Sequence, residues 1–95
     1  MRPPPSLISS LPVVLFTPID WRHEPTDNCR HTVGGHEFGP ASGLAICQDG
    51  DAYYLFYCDA EWEPVTDTWH QTLEAAKGQA EFEYRGVTTT WESAA

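Results

Sequence analysis

Four residues that can bind a metal ion lie within one segment of the chain: His23, Cys29, His31 and His36. Imidazole nitrogen and thiolate sulfur are the donors that zinc takes in its tetrahedral sites. The spacing of these residues matches none of the paired Cys and His patterns that identify zinc motifs. The sequence therefore predicts no metal ligand and no cofactor. These four residues stay candidate zinc ligands, and the alternative is a mobile loop with scattered polar side chains.

A run of carboxylates in the second half is the next candidate site. Its members are Asp59, Glu61, Glu63 and Asp67. Alternating carboxylates are typical of calcium loops, which also need glycine at the sixth position and glutamate at the twelfth. Counted from Asp59, those positions hold Pro64 and His70. The pattern therefore indicates a solvated acidic turn.

His70 is the residue best suited to acid-base catalysis. It precedes a predicted helix start, where the imidazole pKa tends to fall, and Cys47 or Cys58 would be its thiol partner. Nothing in the sequence places them together, and it contains no nucleophile elbow, phosphate-binding glycine loop or HExxH motif. No catalytic residue is predicted. The alternative for His70 is a surface histidine beside a helix.

The element expected to organise the fold is a β-hairpin from Gly43 to Tyr57. An Asp49-Gly50 pair between apolar runs is a strong hairpin signal, because both residues tolerate positive φ. Alternation puts Leu44 and Ile46 on the face of Tyr53, Leu55 and Tyr57. A two-residue turn would place Cys47 opposite Ala52, too far from Cys58 for a disulfide. Both thiols are therefore expected to be free, buried and in a reducing compartment.

Three further elements are predicted after the hairpin. Trp62 to Trp69 reads as an edge strand, since Pro64 has no N–H to donate to a neighbour. A helix is expected from Leu73 to Arg85, with Thr72 as N-cap and Gly86 as the stop. Val87 to Trp91 reads as a short final strand. The residues expected on the buried stripe of the helix are Leu73, Ala76, Ala80 and Tyr84. We also expect an exposed ion pair between the side chains of Glu81 and Arg85.

These elements predict an α+β fold: a three-stranded antiparallel meander, one helix packed across it and a short C-terminal strand. This domain spans residues 43–92. Residues 1–42 are predicted to form a proline-rich N-terminal arm and a Gly/His-containing loop, partly disordered. Within them, Val13 to Thr17 is a plausible strand that could add to a sheet edge.

Charge narrows the classes of partner. The chain has 14 acidic and 5 basic residues and a formal net charge of −9. Ten acidic residues and two basic ones lie from Ser42 onward. This balance argues against binding to nucleic acid, whose phosphates require Lys and Arg. The N-terminal apolar run is too short for an export signal and no segment is long enough for a membrane span, so we expect a cytoplasmic protein without membrane contact.

Part of the chain resembles a known group of sequences. The stretch YYLFYCDAEWEPVTDTWHQTLEAAKGQAEFEYRGVTTTW, from Tyr53 to Trp91, covers about two fifths of the chain. It resembles a small uncharacterised bacterial family with the shared pattern LFxCDxxW, TDTWHxTLExAxxQAEFEYxG and a terminal Trp. The resemblance implies a bacterial source and a compact strand-strand-helix unit, with no activity or active residues. The strand-helix unit is also loosely similar to the HicB-type antitoxin fold, over the helix start only.

The leading hypothesis is a non-enzymatic acidic interaction module, antitoxin-like or immunity-like, which masks a basic partner protein. The alternative is a small metal-binding protein or enzyme that uses the loop from His23 to His36. A third hypothesis is a homodimer formed through an uncovered sheet face or through the Phe82 side of the helix.

Overall fold

The computed structural model describes residues 1–94. Its strands in chain order are β1 (Leu7–Ile8), β2 (Leu11–Pro18), β3 (Glu24–Pro25), β4 (His31–Val33), β5 (His36–Phe38), β6 (Gly43–Asp49), β7 (Ala52–Cys58), β8 (Pro64–His70), β9 (Tyr84–Arg85) and β10 (Glu92–Ser93). Helix α1 spans Leu73–Glu83, and a 3₁₀ turn spans Val87–Thr89. Within residues 1–94, no helix has both the length and the apolar character needed to cross a membrane.

The main sheet is wider than predicted. Five antiparallel strands follow the order β1-β2-β6-β7-β8, and β10 lies beside β1 on the outer edge of β2. The sheet curls, and β3 with β9 and β4 with β5 form two further small sheets. The predicted three-stranded meander is therefore wrong. Strand β6 is buried, so the backbone groups on both of its edges need hydrogen-bond partners. Strand β7 pairs with one edge and β2 with the other.

The central hairpin forms with a shifted turn. Asp49 pairs with Ala52, so the two turn residues are Gly50 and Asp51, and Cys47 faces Tyr54 instead of Ala52. Because this register differs from the predicted one by two residues, it does not exchange the faces of the strands. The predicted face assignment is confirmed, and all three cysteines are free.

Strand β8 and helix α1 lie close to their predicted positions. Strand β8 ends the sheet with Pro64 as its first residue, which confirms the predicted edge. The N-cap is also confirmed, since Ala75 N donates to Thr72 Oγ1 at 3.0 Å. The helix ends two residues early because Tyr84 and Arg85 pair with β3.

The C-terminal end of the chain departs from prediction. Gly86 adopts a φ of 106°, and the chain then forms a 3₁₀ turn where a strand from Val87 was expected. The predicted pair of Glu81 and Arg85 is wrong: Arg85 binds Glu24 at 3.1 Å, while Glu81 accepts from the backbone N–H groups of Gly86 and Thr88. Glu81 therefore stabilises the turn after the helix.

Two apolar layers enclose the sheet. On the inner face, under α1, the buried members include Leu44, Ile46, Leu55, Tyr57, Ala76 and Ala80. The outer layer includes Phe16, Ala45, Cys47, Phe56, Cys58 and Trp62. The Trp62 ring makes an edge contact with Phe16 at 5.9 Å, and its Nε1 donates to the carbonyl of Arg2. The proline-rich start of the chain thus contacts the outer layer, and β1 to β5 all lie within residues 1–42.

Candidate functional site

A pocket of about 150 Å³ lies where the segment carrying β3, β4 and β5 meets the end of helix α1. Polar and titratable side chains on its wall include Cys29, Arg30, His31, Glu37 and Glu83. A concave site with converging titratable groups is the usual position of ligand binding in a small domain.

Glu83 is the central residue of this site. It is the last residue of α1, and its helical spacing from Ala76 and Ala80 places it on the buried stripe, where it is only 3% exposed. An ionised carboxylate in such a place is costly unless hydrogen bonds satisfy it. His31 Nε2 donates to Oε1 at 2.6 Å, and Gln79 Nε2 donates to Oε2 at 2.9 Å. The Tyr57 hydroxyl also donates to Oε2. The carboxylate is therefore held in one orientation.

His31 reaches the site from a small hairpin. Gly34 and Gly35 adopt positive φ values of 58° and 81°, which allow a tight turn between β4 and β5 and place His31 opposite Phe38. The imidazole lies against the Tyr57 ring with a centroid distance of 4.1 Å. The Gly-Gly pair between two short runs was the sequence signal for this hairpin, which was not among the predicted elements.

Cys29 completes the cluster. Its sulfur, a ring nitrogen of His31 and a carboxylate oxygen of Glu83 all lie within 4.8 Å of one another. Burial, reinforced by the negative charge of Glu83, raises the pKa of the Cys29 thiol. This does not suit a nucleophilic cysteine, which needs a lowered pKa. In a thiol-imidazole-carboxylate triad the histidine stands between the other two groups. Here the imidazole hydrogen bonds to the Glu83 carboxylate, and the thiol, with its raised pKa, lacks the activation that covalent catalysis needs.

The arrangement does fit metal coordination. Thiolate sulfur, imidazole nitrogen and carboxylate oxygen are all zinc ligands, at metal distances of roughly 2.0–2.3 Å. A borderline-soft ion such as Zn²⁺ accepts this mixed set, whereas Mg²⁺ and Ca²⁺ prefer oxygen donors. Tyr57 and Gln79 would remain as outer partners that orient Glu83.

The other two loop candidates lie outside the cluster. His23 is buried, with Nδ1 accepting from Asp20 N at 3.0 Å and Nε2 at 2.8 Å from Thr90 Oγ1. The Asp20 carboxylate is 3.5 Å from Nδ1, but that nitrogen already accepts an N–H, so we take the ring as neutral. Burial correspondingly lowers the pKa of His23. His36 is exposed on β5. The structure therefore joins Cys29 and His31, adds Glu83 and leaves out His23 and His36.

The residues considered for catalysis are not brought together. His70 Nε2 lies 2.8 Å from Thr68 Oγ1 on β8. Cys47 and Cys58 lie in the outer layer of the sheet, and burial raises the pKa of each to about 12. A carboxylate in the acidic run has a local role: Asp59 Oδ1 accepts from the backbone N–H groups of Glu61 and Glu63.

Glu83 is the candidate ligand that the sequence alone did not suggest. The available signal was a charged side chain at the i+3 position from Ala80 on the buried stripe of a helix, where an acidic residue is rare unless it has partners. Comparison with protein-family models, with curated proteins and with solved structures found no significant match. We therefore infer function from the geometry of this site.

Proposed function

We propose that this protein binds one zinc ion through Cys29, His31 and Glu83. The observation that carries the proposal is the mutual distance of their donor atoms, all within 4.8 Å, on the wall of a pocket. The three residues come from two separate parts of the chain, so the ion would tie the β4 and β5 segment to the end of α1.

Charge balance supports this proposal. A thiolate, a carboxylate and a neutral imidazole together carry two negative charges, which Zn²⁺ neutralises in a largely buried place. In the metal-free protein the thiol is protonated, because its pKa is raised. Zinc binding would then release the thiol proton, and zinc affinity should rise with pH.

The test is a competition titration with a chromophoric zinc chelator, using full-length protein without a histidine tag. Cys29→Ser and His31→Gln remove ligands, and His36→Gln is the matched control because His36 is exposed on the partner strand of the same hairpin. We expect one zinc per chain. Each ligand variant should weaken binding by more than the roughly 10- to 100-fold typical of outer-sphere changes, and the control should bind as wild type does. An equal loss in His36→Gln, or no saturable binding, would refute the site.

The acidic surface favours a second function, an interaction module that masks a basic partner. Of the 14 acidic residues, 11 are exposed: Asp20, Glu24, Asp27, Glu37, Asp49, Asp51, Glu61, Glu63, Asp67, Glu74 and Glu92. Two of the 5 basic residues, Arg22 and Arg85, are already paired with carboxylates. Such a surface attracts a basic protein over a range set by ionic strength.

Affinity capture with the full-length protein at increasing salt tests this second function. A basic partner should be retained at low salt and released progressively as salt rises. A partner held equally at all salt concentrations would count against an electrostatic docking surface.

A further inference from the structure

We infer that a metal ion at this site keeps one coordination position for a small external monoanion, with Arg30 as the charge partner of that anion. This inference rests on the proposed function, the binding of zinc by Cys29, His31 and Glu83. It extends that proposal from a structural ion to a ligand-binding centre.

The ligand count leaves one position open. Zinc in proteins is typically four-coordinate, and a site with three protein ligands keeps its fourth position for water or an external ligand. Within residues 1–94, no fourth His, Cys, Asp or Glu offers a donor within 4.8 Å of all three members of the cluster. A closed structural site would need such a residue.

The surrounding space suits a small ligand. The three donors line a pocket of about 150 Å³, and a water molecule in the liquid occupies roughly 30 Å³. The pocket therefore has space equivalent to about five waters. Pro40 and Phe38 form an apolar part of its wall beside the polar groups. A small anion with a few heavy atoms, such as acetate, fits this space.

The charges around the pocket select a monoanion. A zinc ion with one thiolate and one carboxylate is formally neutral, so an added anion needs a separate positive partner. Arg30 lines the pocket and forms no salt bridge in the part of the chain that the structure describes. A guanidinium binds carboxylate oxygens in pairs. Asp27 and Glu37 also line the pocket and are exposed, and their charges would repel a polyanion.

Cobalt spectroscopy tests this inference with the full-length protein. Co²⁺ replaces zinc and gives a visible spectrum that changes when its coordination sphere changes. We would titrate Co²⁺-loaded protein with azide and with acetate and follow the absorption bands. The expected result is a saturable spectral change with each anion.

Two variants sharpen the test. Arg30→Gln should bind Co²⁺ as wild type does and lose about tenfold in affinity for azide and acetate, as expected for loss of one charge-assisted contact. Glu37→Gln should bind both anions at least as well as wild type, since it removes a repulsive charge. If Glu37 itself fills the fourth position, the wild-type spectrum will not respond to anions and that of Glu37→Gln will.

That response of Glu37→Gln alone would overturn the inference, and so would an unchanged anion affinity in Arg30→Gln. A Co²⁺ absorption spectrum that does not change with azide or acetate in the wild type or in any variant would also overturn the inference, while the proposed metal site would stand. Failure of Co²⁺ to bind at all would refute the proposed function and the inference together.

Discussion

At the residue scale, the buried Glu83 carboxylate is the group on which the site depends. Its side chain is 3% exposed and accepts hydrogen bonds from His31, Gln79 and Tyr57. Without those donors, burial of its charge would be strongly unfavourable. The hydrogen bonds from Gln79 and Tyr57 hold Oε2, and both could remain if His31 and Oε1 bound a metal ion in place of each other.

We predict that Glu83→Gln lowers the free energy of unfolding of the metal-free protein by about 1–3 kcal/mol. The amide is uncharged, and its NH₂ group would meet donors where the carboxylate oxygen accepted. Urea denaturation followed by tryptophan fluorescence measures the change. Glu61→Gln, at an exposed position, should stay within about 0.5 kcal/mol of wild type. Equal effects of the two substitutions would show that Glu83 has no special role in stability.

His23 gives a prediction about pH. Burial lowers its pKa in the folded state below the value of 6.5 expected when it is exposed. Below about pH 6.5 the unfolded chain therefore binds the proton more readily, and stability is lost as the pH falls toward the lowered folded-state pKa. At higher pH both states are neutral at this residue and the effect disappears.

The matching variant is His23→Gln, compared with wild type by urea denaturation at pH 7.5 and at pH 5.5. The variant should be less stable at pH 7.5, because it loses contacts to Asp20 and Thr90. Its further loss between the two pH values should be smaller than that of wild type. A larger loss in the variant would contradict a buried neutral imidazole.

At the element scale, two glycines test the packing of the helix and of the central hairpin. A Cβ at Gly43 would lie 2.6 Å from the Trp62 ring, whereas nothing lies within 4 Å at Gly78 on α1. We predict that Gly43→Ala destabilises the protein by about 1–3 kcal/mol through overpacking. Gly78→Ala should stabilise it by up to about 1 kcal/mol, because alanine favours the helix. Thermal unfolding of both variants measures this difference, and a shift of the two melting temperatures in the same direction would contradict the packing described.

Local signals made part of the fold predictable from sequence. The strand faces of the hairpin, the edge position given by Pro64 and the N-cap at Thr72 each depend on a few adjacent residues, and all three are confirmed. The early end of α1 was not predictable in this way, because it follows from pairing of Tyr84 with Pro25, which is distant in sequence.

The site was only half predictable for the same reason. Cys29 and His31 stand two positions apart, and their chemistry is visible in the sequence. Glu83 lies near them only in the folded chain, where α1 packs against the inner face of the sheet. A carboxylate three residues after Ala80, beside the predicted stripe of Leu73, Ala76, Ala80 and Tyr84, was a usable signal, but its partners could not be named without the tertiary fold.

At the scale of the whole molecule, the first strands hold the sheet together. Strand β2 pairs with β6 on one edge and with β1 and β10 on the other, so it joins the two ends of the chain. A fragment of residues 43–94 would leave the β6 edge without its neighbour and much of the outer apolar layer without Val13 and Phe16.

We predict that the 43–94 fragment does not fold cooperatively, whereas residues 1–94 do. Circular dichroism and urea denaturation of the two proteins measure this. Addition of a synthetic peptide of residues 1–42 to the fragment should restore part of the structure. A cooperative transition in the fragment alone would show that the domain predicted from the sequence folds independently and does not require pairing with β2.

The most direct test of the metal site is zinc K-edge X-ray absorption on the zinc-loaded, full-length protein. We predict one sulfur scatterer at about 2.3 Å, with nitrogen and oxygen donors at about 2.0–2.2 Å, and loss of the sulfur in Cys29→Ser. A zinc environment with no sulfur, or with two or more, would contradict coordination by Cys29, His31 and Glu83.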